Sequence, residues 1–376
     1  KHAGIKYVMP MSKHHDGFCM FDTKTTNYKI TDKKTPFHTS PRADAVKEIV
    51  KSFSSEGFRI GMYFSKPDWH SRDYWSDYFP PLDRNVNYDP DLYPEKWEKF
   101  VQFTHEQIME LMTNYGDIDI LWLDGGWVAK QNAQEVEDFY RKSVKNNPNG
   151  FIKSKIVNQD IRMNEIAAQA RKKQPGLIVV DRAVPDVNEN YLTPENRIPE
   201  KMIPFPWESC ITATNSWSYS PNDTYKSSKQ LIHMLVDIVS KGGNLLLNIA
   251  PGPNGDWDST AYQRLQEIGD WMQVNSEAIY ETRAIAPYRS GKICYTQNKN
   301  TKAVYSIYLP DEDETALPSE VRLPSIHPKN GSIIKLLGYG KVKWKIVDED
   351  VIITVPKKAI VNPPCREAWT FKMMLE

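Results

Sequence analysis

Several short segments of this chain set carboxylates, imidazoles and a guanidinium beside aromatic rings. His14, His15 and Asp16 follow a short apolar run, and Tyr63, Asp68 and Trp69 follow a second. Asp124 closes a third, between Trp122 and the pair Gly125-Gly126, and Asp181-Arg182 close a fourth. Glu189, Glu195, Glu200 and Glu208 come after that. Flat ring faces with polar groups at their edges suit a sugar, which offers C–H faces to the rings and hydroxyls to the polar groups. Two carboxylates would add the means to cleave it, one attacking or activating water and the other donating a proton. Each reading has a plain rival. An Asp before a helix caps it, and a Glu in a polar loop is usually just solvated. From the residues alone, the second carboxylate stays open among the four glutamates.

Asp124 is the sharpest candidate, because it ends an apolar strand and the two glycines after it let a ligand approach the backbone. His14-His15 raises the question of a metal. Adjacent side chains on a strand point to opposite faces, and the i, i+4 histidine spacing of zinc helices is missing. Hydroxyl recognition is therefore the expected role, with no metal and no organic cofactor required.

These residues need strands that end where they stand. Apolar runs at 5–11, 58–64, 118–123, 177–180, 207–212 and 244–249 read as buried strands. Helical periodicity at 43–56, 97–115, 135–144, 163–173, 227–241 and 260–275 fills the gaps between and after them. Strands separated by single helices pair in parallel through right-handed crossovers. No GxGxxG follows a strand, so a dinucleotide-binding sheet has no support. The expected fold is α/β, a (β/α)8-like barrel whose first βα unit is absent from this sequence, since six strands are two short of eight. In a barrel, reactive groups gather at the C-terminal ends of strands, where the candidates lie. Beyond residue 283 the periodicity changes to short β-rich runs at 303–309, 333–337, 342–347 and 351–355, separated by turns. This predicts a barrel domain over 1–283 and an antiparallel β-sandwich over 284–376. Residues 146–160 read as a polar surface excursion.

Composition narrows the function. The 376 residues carry 48 Lys+Arg and 48 Asp+Glu, which argues against a nucleic-acid partner held by bulk charge. No run reaches the roughly 18 apolar residues of a membrane span. Cys19, Cys210, Cys294 and Cys365 are far apart and form no CxxC, so free thiols are expected. The start at Lys1 reads as processed or truncated, with targeting information missing from the sequence.

The motifs then combine. Lys13-His14-His15-Asp16-Gly17-Phe18, Trp122-Leu123-Asp124-Gly125-Gly126, Thr193-Pro194-Glu195, Trp207-Glu208-Ser209-Cys210, Asn215-Ser216-Trp217 and Gly242-Gly243-Asn244 occur in this order. Together they resemble the α-L-fucosidases of glycoside hydrolase family 29, over nearly the whole chain. The resemblance implies a (β/α) barrel followed by a β-sandwich. It implies a retaining exo-glycosidase that releases terminal α-L-fucose from a fucosylated glycan through a covalent glycosyl-enzyme. Asp124 falls on the family's nucleophile, and His14 and His15 fall on histidines that bond fucose hydroxyls. Tyr63, Trp122 and Arg182 fall on further pocket positions. Trp69 joins them as an aromatic candidate, and Trp217 is expected against the sugar's C6 methyl. Glu195 is favoured as the acid/base, with Glu208 as the rival. A retaining pair places its carboxyls roughly 5–5.5 Å apart. The substrate class suggests an extracellular, periplasmic or lysosomal-type compartment. One departure stands out: the family's earlier strand with a His-Trp-Gly motif has no counterpart before Lys1, so the sequence is partial or the protein lacks that unit. The alternatives are a barrel glycosidase for another sugar and a fucose-binding protein without catalysis.

Overall fold

Pro10 splits the first apolar run into two strands, β1 (Tyr7–Val8) and β2 (Met11–Lys13). Proline donates no ladder hydrogen bond, but its carbonyl still accepts from the Tyr63 amide at 3.1 Å. Both strands run parallel to β3 (Arg59–Ser65). The computed structural model describes residues 1–81, 84–150, 156–182 and 188–375. These form two compact units, 6–192 and 1–5 with 193–376.

In the 6–192 unit, β4 (Ile120–Asp124) pairs with β3, and β5 (Ile178–Val179) pairs with β4, all in parallel. The middle of β3 and most of β4 are buried, which is why they read as continuous apolar runs rather than as alternating ones. Four helices link or flank these strands. Helix α1 (Ala45–Ser55) starts where Asp44 accepts from the Lys47 amide, and α2 (Pro94–Asn114) starts with proline in its first turn. Helix α3 (Ala133–Asn146) opens on a capping box between Asn132 and Glu135, and α4 is Met163–Lys173. The polar excursion expected at 146–160 begins where α3 ends, and its residues 151–155 lie outside the described ones.

The other unit holds β6 (Trp207–Thr212) and β7 (Gly243–Asn248), paired in parallel around α5 (Ser228–Ser240). Helix α6 (Ser259–Asn275) follows, capped by Asp258. It also holds eight antiparallel strands, β8 (Thr282–Ser290), β9 (Ile293–Asn298), β10 (Val304–Tyr308), β11 (Glu320–Leu323), β12 (Ile334–Leu336), β13 (Gly340–Val347), β14 (Asp350–Thr354) and β15 (Trp369–Met373), with a short helix α7 (Lys357–Val361) before the last. Their order is β11-β14-β13-β12-β15-β10-β9-β8. Tyr295, Val321, Leu323, Ile353, Trp369 and Phe371 share one core on this sheet. A second core joins Cys294, Tyr305 and Ile307 to Leu231, Ile232 and Val236 of α5 and to Trp271 and Met272 of α6. None of the four cysteines forms a disulfide. Among the described residues, no helix is long and apolar enough to cross a membrane.

Candidate active site

Strand β4 ends on Asp124, and the neighbouring strand sets what surrounds it. In the β3–β4 register Tyr63 lies opposite Trp122 and Ser65 opposite Asp124. Tyr63 donates its phenolic proton to Asp124 Oδ2 at 2.5 Å. Arg182, three residues past β5, donates from Nη1 to Oδ1 at 2.8 Å, and the Gly125 amide donates to the same oxygen at 2.7 Å. Burial alone would raise the Asp124 pKa. The Tyr63 hydrogen bond, the Arg182 charge and the Gly125 amide outweigh it and hold the carboxyl below the usual aspartate value. Asp124 is thus an ionised carboxylate, mostly buried and fixed at both oxygens. Such a group can attack an electrophilic carbon or steady a positive charge developing there.

The histidine pair does not split across a strand. Strand β2 stops at Lys13, and His14 and His15 lie in the turn beyond it. Their ring centroids are 4.2 Å apart, so the alternation expected from the sequence does not apply to them. Donor atoms of His14, His15 and Asp124 all lie within 4.8 Å of one another. His15 is buried, and its Nδ1 is hydrogen-bonded to Ser65 Oγ. Its Nε2 lies 3.7 Å from Asp124 Oδ2. Burial, and then the neighbouring His14, lower its pKa to about 4. At neutral pH it is therefore an uncharged imidazole, and the approach to Asp124 is not an ion pair.

Aromatic groups wall this cluster. His14 stacks near Tyr63 with centroids 6.1 Å apart, and Tyr63 stacks on Trp122 at 5.4 Å. The Arg182 guanidinium lies 4.6 Å from the Trp122 ring centroid. Trp69 sits 5.2 Å from His15 and stacks on Trp75. Trp127 meets His15 edge-on, a contact the sequence did not signal.

Two further features correct or extend the sequence reading. Asp68, a candidate by position, forms a buried ion pair with Lys13 at 3.1 Å. It also accepts from the His70 and Ser71 amides, while the Trp69 amide donates to the His15 carbonyl. Asp68 thus ties the histidine turn to the Trp69 loop. Gly17 completes the motif because its φ is +82° and a Cβ there would sit 2.2 Å from Asp68 Oδ1. Gly125 has a similar packing explanation beside the expected ligand approach. Its φ is +81°, and a Cβ would lie 2.3 Å from Pro67 Cδ.

Glu195, Glu208 and Trp217 belong to the other unit. Glu195 is exposed and pairs by a parallel bridge with Cys210. Glu208 lies two residues before Cys210 on β6, hence on the same face, and is buried. Trp217 is 40% exposed in the segment after β6.

Parallel strands with their helices, a separate antiparallel sheet, and an ionised aspartate among rings and histidines at a strand end are features that fit a glycoside hydrolase. Residues 1–277 match the family described as Alpha-L-fucosidase, and residues 287–374 match its C-terminal domain. The chain belongs to the α-L-fucosidase family. It is 27% identical to the plasma α-L-fucosidase of Homo sapiens, over 99% of this chain and 73% of that protein. In structure it is similar to α-L-fucosidase isoenzyme 1 from Paenibacillus thiaminolyticus, with a TM-score of 0.76 and 28% identity, covering 100% of this chain and 84% of that one. The Thermotoga maritima α-fucosidase in complex with fucose gives a TM-score of 0.71 at 26% identity, over 99% of this chain and 76% of its own. That enzyme has also been solved with a mechanism-based inhibitor. The fold class is the expected one, a (β/α) barrel followed by a C-terminal antiparallel β domain, and the protein is an α-L-fucosidase.

Proposed function

We propose that this chain is a retaining exo-α-L-fucosidase in which Asp124 is the nucleophile and Glu195 the acid/base. Asp124 attacks the anomeric carbon of a terminal α-L-fucosyl group while Glu195 protonates the departing glycosidic oxygen. Glu195 then takes a proton from water, the water oxygen bonds to the anomeric carbon, and the Asp124 ester bond breaks to free fucose. The observation that carries this reading is Asp124 itself, held ionised among Tyr63, Arg182 and Gly125 with His15 alongside. His14, His15 and Arg182 then serve the sugar hydroxyls, and Tyr63, Trp69, Trp122 and Trp217 its apolar surfaces. Two points favour Glu195 over Glu208. It is exposed where Glu208 is buried, and its bridge partner Cys210 lies two residues further along β6, toward the C-terminal end of the strand. The thermotogal relative's complex with fucose supports a fucosylated glycan as the substrate class. Such a substrate fits an extracellular, periplasmic or lysosomal-type compartment.

The test is release of 4-nitrophenol from its α-L-fucoside by the parent chain and by Asp124→Ala, Glu195→Ala and Glu208→Ala. Asp124→Ala should lose at least about a thousandfold in kcat, as removal of a covalent nucleophile does. Azide should restore turnover to Glu195→Ala but not to Glu208→Ala. Azide rescue of Glu208→Ala instead would exchange their roles. Fucose binding by the parent without turnover would make this chain a binding protein.

A further inference from the structure

The last residue of β3 and the first two of the turn after it, Ser65, Lys66 and Pro67, are all buried, and each reaches a different part of the Asp124 cluster. Ser65 bonds the His15 imidazole. Pro67 fills the space beside Gly125. Between them, Lys66 is fully buried, and its two nitrogens act on the two members of one ion pair. Its backbone amide donates to the Asp124 carbonyl at 3.1 Å. Its Nζ donates to the Arg182 carbonyl at 2.6 Å. Asp124 and Arg182 themselves meet at 2.8 Å.

A lysine is a costly way to fill space. Its ammonium gives up hydration on burial and regains little without a carboxylate partner. Among the described residues Lys66 has no ion-pair partner, and its side chain makes one hydrogen bond, to a main-chain oxygen. Burial lowers its pKa to about 7, despite the opposing pull of Asp124. A methionine would pack the same volume without that cost, so the bond to Arg182 is what distinguishes lysine here. Arg182 needs such a tether. Strand β5 has only two residues, and beyond it the backbone is held by a bridge from Val180 to Tyr191 and by the Asp181 amide bond to the Tyr191 carbonyl.

We propose that Lys66 is a positioning residue: it fixes the main chain at Arg182 so that the guanidinium meets both Asp124 and the face of Trp122. The proposal rests on the reading of Asp124 as nucleophile, because it concerns the group that holds that carboxylate. Lys66 touches no reacting atom. It acts through Arg182, so its effect should vanish when the guanidinium is gone.

The test is a double-mutant cycle with Lys66→Met and Arg182→Ala, read by kcat/KM on the aryl fucoside and by fucose affinity in calorimetry. Lys66→Met should lower kcat/KM tenfold or more in the parent and less than threefold in the Arg182→Ala background. Lys66→Gln, of which the amide can still donate, should keep more activity than Lys66→Met at an equal melting temperature. An effect under threefold in the parent, an equal factor in both backgrounds, or a reversed order of Gln and Met overturns the proposal. If both variants melt below the assay temperature, Lys66 is a folding residue and the proposal fails. Loss of turnover by the parent itself would count against the nucleophile reading. Fucose affinity would then still decide the Lys66–Arg182 coupling, by the same fold-changes.

Discussion

At the scale of single residues, protonation states divide the labour around Asp124. Asp124 is held ionised by three donors, whereas His15 is held neutral by burial and by its neighbour His14. The second effect has a consequence for stability. His15 has a native pKa of about 4 against an ordinary value of 6.5. Between those two values the unfolded chain binds a proton that the native chain does not. Stability is therefore complete above about pH 6.5 and falls as the pH drops toward 4, by roughly 3 kcal/mol at most for this residue. Thermal melts across that window should lose less in His15→Gln than in the parent, and parallel slopes would show that His15 does not carry the effect. Sequence reasoning located Asp124, His14, His15 and Arg182 at the ends of apolar runs and Tyr63 and Trp122 inside such runs, with the family resemblance pointing to the same positions, and the structure gathers these six. It missed Ser65, Lys66 and Trp127. The partners of Ser65 and Lys66 lie 50 and 116 residues away, at His15 and Arg182. A buried Ser-Lys-Pro junction at a strand end also looks, in one dimension, like the start of any polar loop.

At the scale of elements, the long helices before residue 283 were legible, and the short helix α7 and several strands after it were not. The 3.6-residue period put α4 at 163–173 and β6 fell at 207–212, as found. The first strand was read through Pro10 as one piece, although proline interrupts a ladder. Strands β8, β9, β11 and β15 escaped notice. Several are short or rich in polar residues, and their burial comes from partners far along the chain, as where Tyr305 pairs with Lys372 and Val321 with Ile353. The strand-to-turn junction after β4 offers a sharp test, because two adjacent glycines there have different surroundings. Gly125 has positive φ and faces Pro67 closely, while a Cβ on Gly126 would meet nothing within 4 Å. Gly125→Ala should cost about 2 kcal/mol or more, through backbone strain and the clash with Pro67. It should also lower kcat, because the Gly125 amide holds Asp124. Gly126→Ala should leave the melting temperature unchanged. Equal melting temperatures for the two variants would remove the packing explanation of Gly125.

At the scale of the whole molecule, the change in periodicity near residue 283 suggests a domain boundary, and we retain 1–283 and 284–376 as a proposal about the barrel and the sandwich. The contacts give that boundary an unusual character. Strands β6 and β7 and helices α5 and α6 precede it in sequence, yet they share a compact unit with the antiparallel sheet that follows it. Leu231, Ile232 and Val236 of α5 and Trp271 and Met272 of α6 are buried in one core with Tyr305 and Ile307 of β10. Arg289 of β8 adds an ion pair to Asp237 of α5 at 3.1 Å. Each large apolar side chain exposed by removing the sheet would forfeit about 1.5–3 kcal/mol. Losing several at once is comparable to the whole stability of a domain, about 5–15 kcal/mol. The sheet is therefore a structural half of the unit that carries Glu195, rather than an appendage. A chain ending at residue 283 should leave residues 193–283 without a cooperative melt and should give no turnover, even though Asp124 and its partners all lie before that point. A soluble 1–283 fragment in which α5 and α6 themselves melt in a sharp transition, read by amide exchange over 228–275, would show instead that these helices can stand without the sheet.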